Sequence, residues 1–110
     1  MTSTNVKIVV TVPIQNADAL RQAIGNAGAG QLGNYSHCSV SQKVTGRFLP
    51  NESANPTIGA VGIAESVEEE RIEVTCARTH LQSVIQAIKA NHPYEEIALD
   101  VCALEDITYE

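Results

Sequence analysis

Two kinds of hydrophobic spacing alternate along this chain, and their order is the feature that most restricts its fold. Apolar residues recur at every second position, or almost continuously, in four strand-like segments at about 5–14, 35–44, 70–77 and 97–104. They recur at every third or fourth position in two helix-like segments at about 16–27 and 79–92. The predicted order is therefore strand, helix, strand, strand, helix, strand.

The boundaries of the two helices carry recognisable signals. Asn16 is a predicted N-cap of the first helix, which ends at the glycines near residue 28. Thr79 and Gln82 have the spacing of a capping box, and Pro93 must stop the second helix. A strand, helix, strand, strand, helix, strand order with two helices of similar length is the ferredoxin-like plan, an α+β fold with both helices on one face of an antiparallel sheet.

The two faces of the predicted sheet differ in character. The first strand and the second helix supply the apolar residues of the covered face, which are Val6, Ile8, Val10, Val12, Leu81, Val84, Ile85 and Ile88. The opposite face is predicted to be mixed and to carry His37, Ser39, Arg71, Glu73, Asp100, Val9, Ala98 and Cys102. A half-apolar open face on so small a domain predicts burial against further copies of the chain.

Length, charge and cysteine usage narrow the class of protein. A chain of 110 residues is predicted to be one domain, 1–110, with a core at about 5–106. The net charge of −6 argues against a nucleic-acid partner, and no apolar stretch is long enough to span a membrane. Three cysteines without a CxxC pair do not form a disulfide framework, and the N-terminus lacks a signal peptide, so we expect a cytoplasmic protein.

The segment 92–96, His-Pro-Tyr-Glu-Glu, follows the second helix and places an imidazole, a phenol and two carboxylates within five residues. It predicts either a rigid structural corner or the edge of a ligand or metal site. His37, His92 and Glu95 are the candidate ligands of a divalent metal such as Zn or Cu, because imidazole and carboxylate suit such ions. Metal bound there should dissociate as the pH falls through about 6.5, where histidine gains a proton.

The run 28–33 matches the G-x-G-x-x-G pattern of dinucleotide-binding proteins. That function requires a strand before the glycines and a helix after them, whereas the order predicted here is reversed. The segment 28–33 is therefore predicted to be a connection between helix and strand. Its backbone N–H groups could also form a nest that binds an anion.

Several motifs, in one order along the chain, resemble a known family. Residues 25–38, 45–48, 54–59, 71–73 and 92–96 resemble the domain inserted in Nif-three-like proteins, also called GTP cyclohydrolase type 2 homologues. The resemblance covers about 7–104 and implies a free-standing copy of that insert.

The resemblance implies a fold and an assembly. The inserted domain is similar to the PII signalling proteins and to CutA, a trimeric protein linked to divalent-cation tolerance, so a homotrimer is implied. A His-Pro-Tyr segment also occurs in CutA, where the histidine is implicated in copper binding, and this likeness maps onto His92. The dinuclear metal centre of full-length Nif-three-like proteins belongs to a flanking domain, so the cyclohydrolase activity is not implied here.

The sequence favours a non-catalytic binding or regulatory module of PII and CutA type that holds a divalent metal or small anion between subunits. Tyr35, Tyr94 and Glu96, from the motifs, are the candidate ligand-binding residues, and no catalytic residue stands out. Two alternatives remain open. One is a metal-dependent hydrolase related to the GTP cyclohydrolase type 2 homologues. The other is an interaction subunit that binds a partner protein through residues 46–62.

Overall fold

The computed structural model describes residues 3–108, which form an antiparallel sheet covered on one face by two helices. The strands pair in the order β2-β3-β1-β4, so the central pair joins β1 to β3. The elements in chain order are β1 (Asn5–Pro13), α1 (Ile14–Asn26), β2 (Val40–Phe48), β3 (Glu65–Ala77), α2 (Leu81–Asn91) and β4 (Leu99–Ala103). The predicted ferredoxin-like α+β fold is confirmed.

The core lies between the sheet and the helices. Every second residue of β1 is buried, and its partners in β3 are buried opposite, as in the pairs of Val6 with Cys76 and of Ile8 with Val74. The helices close this layer with Ala17, Leu20 and Ile24 of α1 and with Val84 and Ile88 of α2. Within the described residues, neither helix has the length and apolar character needed to cross a membrane.

The open face of the sheet has the mixed character that the sequence predicts. One row across all four strands consists of Val40, Glu73, Val9 and Asp100, which pair in register. Apolar and acidic residues therefore alternate along this face. The prediction is wrong for His37 and Ser39, because β2 begins only at Val40 and both residues lie in the connection before it.

The hairpin of β2 and β3 is longer than the sequence predicts. Phe48 pairs with Glu65 and Gly46 with Val67, so both strands extend beyond the predicted segments 35–44 and 70–77. The loop that remains is 49–64. Glutamates can occupy this strand because the hairpin extends beyond the helices, where one of its faces meets solvent.

Both predicted helix caps are wrong. Helix α1 begins at Ile14 with Pro13 as its N-cap, and no side chain caps it. A short 3₁₀ turn, Arg78–His80, precedes α2 and replaces the predicted capping box. Tertiary hydrogen bonds hold this turn, because the Arg78 guanidinium donates to the Ser3 carbonyl over 2.7 Å and the Arg78 N–H donates to the Thr4 carbonyl over 2.9 Å.

The chain enters and leaves the sheet at neighbouring points. The Thr4 N–H donates to Asp106 Oδ1 over 2.9 Å, and the Leu104 N–H donates to the Asn5 carbonyl over 3.1 Å. The beginning of β1 and the end of β4 therefore lie side by side, as their antiparallel pairing requires.

Candidate ligand-binding site

A cavity of about 360 Å³ opens where the β2–β3 hairpin leaves the body of the domain. The loop 49–64 forms one wall and the segment 92–98 another. The cavity brings together residues that are far apart in the chain, among them Phe48, Pro56, Ile58, Glu69, Tyr94 and Glu96. Its size falls in the range of small-molecule sites.

His92 is buried beside Tyr94, with their ring centroids 5.1 Å apart and 8% of the His92 surface exposed. Its Nε2 is 2.7 Å from the Thr11 carbonyl oxygen, so Nε2 carries the proton and donates it. Its Nδ1 accepts a hydrogen bond from the Tyr94 N–H over 3.2 Å. Both ring nitrogens are therefore engaged within the chain, and neither points a free lone pair at a metal.

Tyr94 forms the floor of the cavity. Its hydroxyl donates to Glu69 Oε2 over 2.8 Å, and its ring meets that of Phe48 edge to face with centroids 6.1 Å apart. Burial raises the pKa of the Tyr94 phenol well above its usual range, and the hydrogen bond and the charge of Glu69 raise it further. Tyr94 therefore acts as a hydrogen-bond donor that orients Glu69.

Two hydrogen bonds tie the loop 49–64 to the segment 92–98. The Asn55 N–H donates to Glu95 Oε1 over 2.8 Å, and the Thr57 hydroxyl donates to the Pro93 carbonyl over 2.7 Å. The proline therefore has two roles, because it ends α2 and also presents a carbonyl to the loop. These contacts hold the walls of the cavity in place.

The structure separates the candidate residues into two regions. Tyr94, Glu95 and Glu96 line the cavity together. Tyr35 is 74% exposed, in the connection before β2. His37 lies there too, with Nε2 3.0 Å from Asn26 Oδ1 at the end of α1, and the ring fits against Gly25 because that residue has no side chain.

The predicted metal set of His37, His92 and Glu95 is not assembled within one chain. His92 is bonded to Thr11, just before α1, whereas His37 lies at the far end of that helix. Thirteen helical residues separate these ends by about 20 Å. Between residues 3 and 108 no group of three His, Cys, Asp or Glu side chains is placed to hold a metal ion. His37 precedes β2 at the end opposite the β2–β3 hairpin, and with a φ of 58° it turns toward the end of α1, whereas His92 lies near the hairpin end of the sheet.

Sequence reasoning missed Glu69, which is the most buried acidic residue of the site. It lies in the run of three glutamates at 68–70, just before the strand predicted at 70–77, and such charge runs are usually solvated. A signal was nevertheless present in Gly46, since a glycine inside a strand often marks the close approach of another group. A side chain at position 46 would overlap the Glu69 carboxylate.

The raised pKa of Tyr94 predicts a loss of stability at alkaline pH. Its contribution is complete below about pH 10, the usual tyrosine value, and falls as pH rises further, because the unfolded chain loses the phenolic proton first. Urea unfolding between about pH 9 and 11 should therefore show a shallower decline for Tyr94→Phe than for the unmodified protein. Tyr35→Phe, at an exposed tyrosine, is the control and should keep the original slope. If the free energy of unfolding declined with pH equally steeply in Tyr94→Phe and Tyr35→Phe, the raised pKa of Tyr94 would be contradicted.

The fold is a small α+β module similar to that of the CutA and PII proteins. The chain is similar to CutA1 of Shewanella sp. SIB1, with a TM-score of 0.72 and 15% identity over 98% of this chain and 88% of that one. It is also similar to GlnK of Bacillus subtilis, with a TM-score of 0.61 and 16% identity over 91% of this chain and 84% of that one. Identities this low show the fold alone.

The particular relationship is to the GTP cyclohydrolase 1 type 2 homologues, and this chain is homologous to one segment of those NIF3-related proteins. It is 48% identical over 98 residues to the homologue of Mycobacterium tuberculosis, covering 89% of this chain and 26% of that protein. A NIF3-related protein of Bacillus cereus has 42% identity and a TM-score of 0.82 over 96% of this chain and 27% of that one. The resemblance predicted from the motifs is thus confirmed.

The chain spans about a quarter of the length of the curated relatives it matches. No protein-family model matches it. The relationship therefore concerns the module described here, and the activity of a whole relative does not follow from it.

Proposed function

We propose that this chain is a non-catalytic binding module of the PII and CutA type, with the cavity beside Tyr94 as its ligand site. The observation that carries the proposal is the convergence of three separate motifs, 45–48, 54–59 and 92–96, on that one cavity. Hydrogen bonds between loop and segment hold its walls in position before any ligand arrives. Preformed, mostly apolar cavities with a few polar groups are the usual sites of small molecules.

The hydrogen bonding of the site favours binding over hydrolysis. A metal-dependent hydrolase needs protein ligands around an open coordination position and a base close to it. Both nitrogens of His92 are engaged, and Glu95 accepts a backbone N–H through one oxygen. We therefore propose a module that recognises its ligand without transforming it.

The charge of the cavity discriminates between the two ligand classes that the sequence suggests. Its wall carries three carboxylates, Glu69, Glu95 and Glu96, against the single guanidinium of Arg47. This balance favours a cation over a small anion. A divalent metal, Zn or Cu, would need further ligands from a second subunit, because the candidate residues of one chain lie apart.

We also propose that the module assembles as a homotrimer in the reducing cytoplasm. The open sheet face is half apolar, and Val40 on it is 67% exposed. Such a surface is covered efficiently by copies of the same chain. All three cysteines are unpaired, which supports a reducing compartment.

Native mass spectrometry tests assembly and binding in one measurement. We expect a species of three times the 11.8 kDa protomer that carries additional non-covalent mass when purified from cells. Ile58→Arg places a bulky side chain in the cavity wall and should abolish the additional mass. The control is Ile63→Arg, at an exposed residue of the same loop outside the cavity, which should retain it. A monomer at micromolar concentration would contradict the trimer, and equal bound mass in both variants would contradict the site.

A further inference from the structure

Glu69 is a buried carboxylate that the fold alone leaves only partly compensated. Its exposed fraction is 4%, and it lies on the open face of β3 between Val44 and Pro13 in the register of the sheet. Removing a carboxylate from water is costly unless hydrogen bonds or an opposite charge replace the water. Over residues 3–108 no Lys, Arg or His side chain forms an ion pair with it.

The two oxygens of Glu69 have different surroundings. Oε2 accepts the hydrogen bond of the Tyr94 hydroxyl, whereas Oε1 receives no donor from the described residues. Oε1 lies over Gly46, in a space that any larger residue would fill, and both residues line the cavity. One oxygen is thus fixed by the protein, and the other is presented to whatever occupies the cavity.

The neighbouring cations do not supply the missing partner. Arg71 is directed to Glu73, with 3.6 Å between Nη1 and Oε2, and to Gln42. Arg21 lies on the helix side of the sheet with Glu70. Arg47 is exposed at the cavity wall and forms no ion pair within 3–108. None of these cations therefore pairs with Glu69 Oε1, which keeps contact with solvent through the cavity and is open to a cationic group from outside the chain.

We propose that Glu69 is the recognition residue of the cavity and that the ligand is a small organic cation, an amine, amidine or guanidine with an apolar body. Glu69 Oε1 accepts a charge-assisted hydrogen bond from its positive group. Phe48, Pro56 and Ile58 line the space that receives the apolar body. This inference rests on the proposed function, because it names the ligand class of the same cavity.

Three probes of nearly identical shape test the ligand class. Benzamidinium, benzamide and benzoate differ in charge at one end of the same ring, and each is titrated into ¹⁵N-labelled protein while the amide signals of Gly46 and Tyr94 are followed. We expect benzamidinium to bind at least about tenfold more tightly than benzamide, a difference equivalent to one charge-assisted hydrogen bond, and benzoate to bind most weakly.

Two variants test the role of Glu69 itself. Glu69→Gln keeps the shape of the side chain and should lower benzamidinium affinity to that of benzamide without changing benzamide binding. Gly46→Ala displaces Oε1 and should have the same effect, which keeps the test valid if one variant folds poorly. The control is Glu68→Gln, at an exposed carboxylate bonded to Thr45 on the other face, and it should bind like the unmodified protein.

The outcomes separate the two levels of the proposal. Binding of all three probes without preference for benzamidinium, or a preference that survives Glu69→Gln, would overturn the role of Glu69 and leave the cavity as a binding site. Absence of any shift at Gly46 and Tyr94 with every probe would overturn the binding site and the role of Glu69 with it.

Discussion

Replacing Gly30 by alanine is expected to lower the free energy of unfolding by about 2–5 kcal/mol, the sum of a left-handed backbone penalty and a steric clash. Gly30 has a φ of +82°, and its N–H donates to the Thr75 carbonyl over 2.8 Å. A Cβ at this position would lie 2.7 Å from the Cys38 nitrogen, where the two backbones cross. Neither segment can move away without breaking the hydrogen bond from the Cys38 N–H to the Gly30 carbonyl.

Gly33→Ala is the matched control for this experiment. Gly33 also has a positive φ, of +54°, but a Cβ there meets nothing within 4 Å. Its replacement should therefore cost only the backbone penalty, about 1–2 kcal/mol. Urea unfolding of the two variants measures the difference. Equal losses would show that the backbone crossing at Gly30 is not tight.

Ile88→Ala is expected to destabilise the protein by about 2–5 kcal/mol, the range for large-to-small changes in a packed core. The Ile88 side chain is completely buried on the inner face of α2, within the apolar cluster that also contains the buried residues of β1. The variant therefore leaves a cavity that the surrounding sheet cannot fill. Thermal and urea unfolding should both report the loss.

Ile85 provides the comparison on the same helix. It is only partly buried at the edge of the core, so Ile85→Ala should cost less than Ile88→Ala, about 1–2 kcal/mol for the smaller area removed from contact. A larger loss of unfolding free energy for Ile85→Ala than for Ile88→Ala would contradict the assignment of Ile88 to the inner face of α2.

The fold could be predicted from the sequence because its core follows simple periodicities. The alternation from Val6 to Val12 and the stripe at Val84 and Ile88 define the two sides of one apolar layer. The ends of the elements were less predictable, since they depend on contacts between distant residues. The turn before α2, for example, is fixed by the hydrogen bonds between Arg78 and Ser3, which no local pattern in the sequence indicates.

The site was predictable where local chemistry determines it. Pro93 must end a helix, and the residues after it must then turn, so the sequence places Tyr94, Glu95 and Glu96 together after α2, and they line one cavity. The partners of these residues were not recognised. Glu69 becomes part of the site only when the β2–β3 hairpin is formed in one particular register, and His37 is absent from it because it precedes β2, at the end opposite the hairpin.

The meeting of Thr4 with Asp106 has a consequence for how such a module can be carried by other proteins. Another protein can accept the whole module as an insertion in one surface loop, because the two ends of the module lie side by side. The two ends of the interrupted loop then stay close together. The cavity lies at the other end of the sheet, beside the β2–β3 hairpin and away from this point of attachment. A module of this shape can be added to or removed from a host protein during evolution while both keep their own cores.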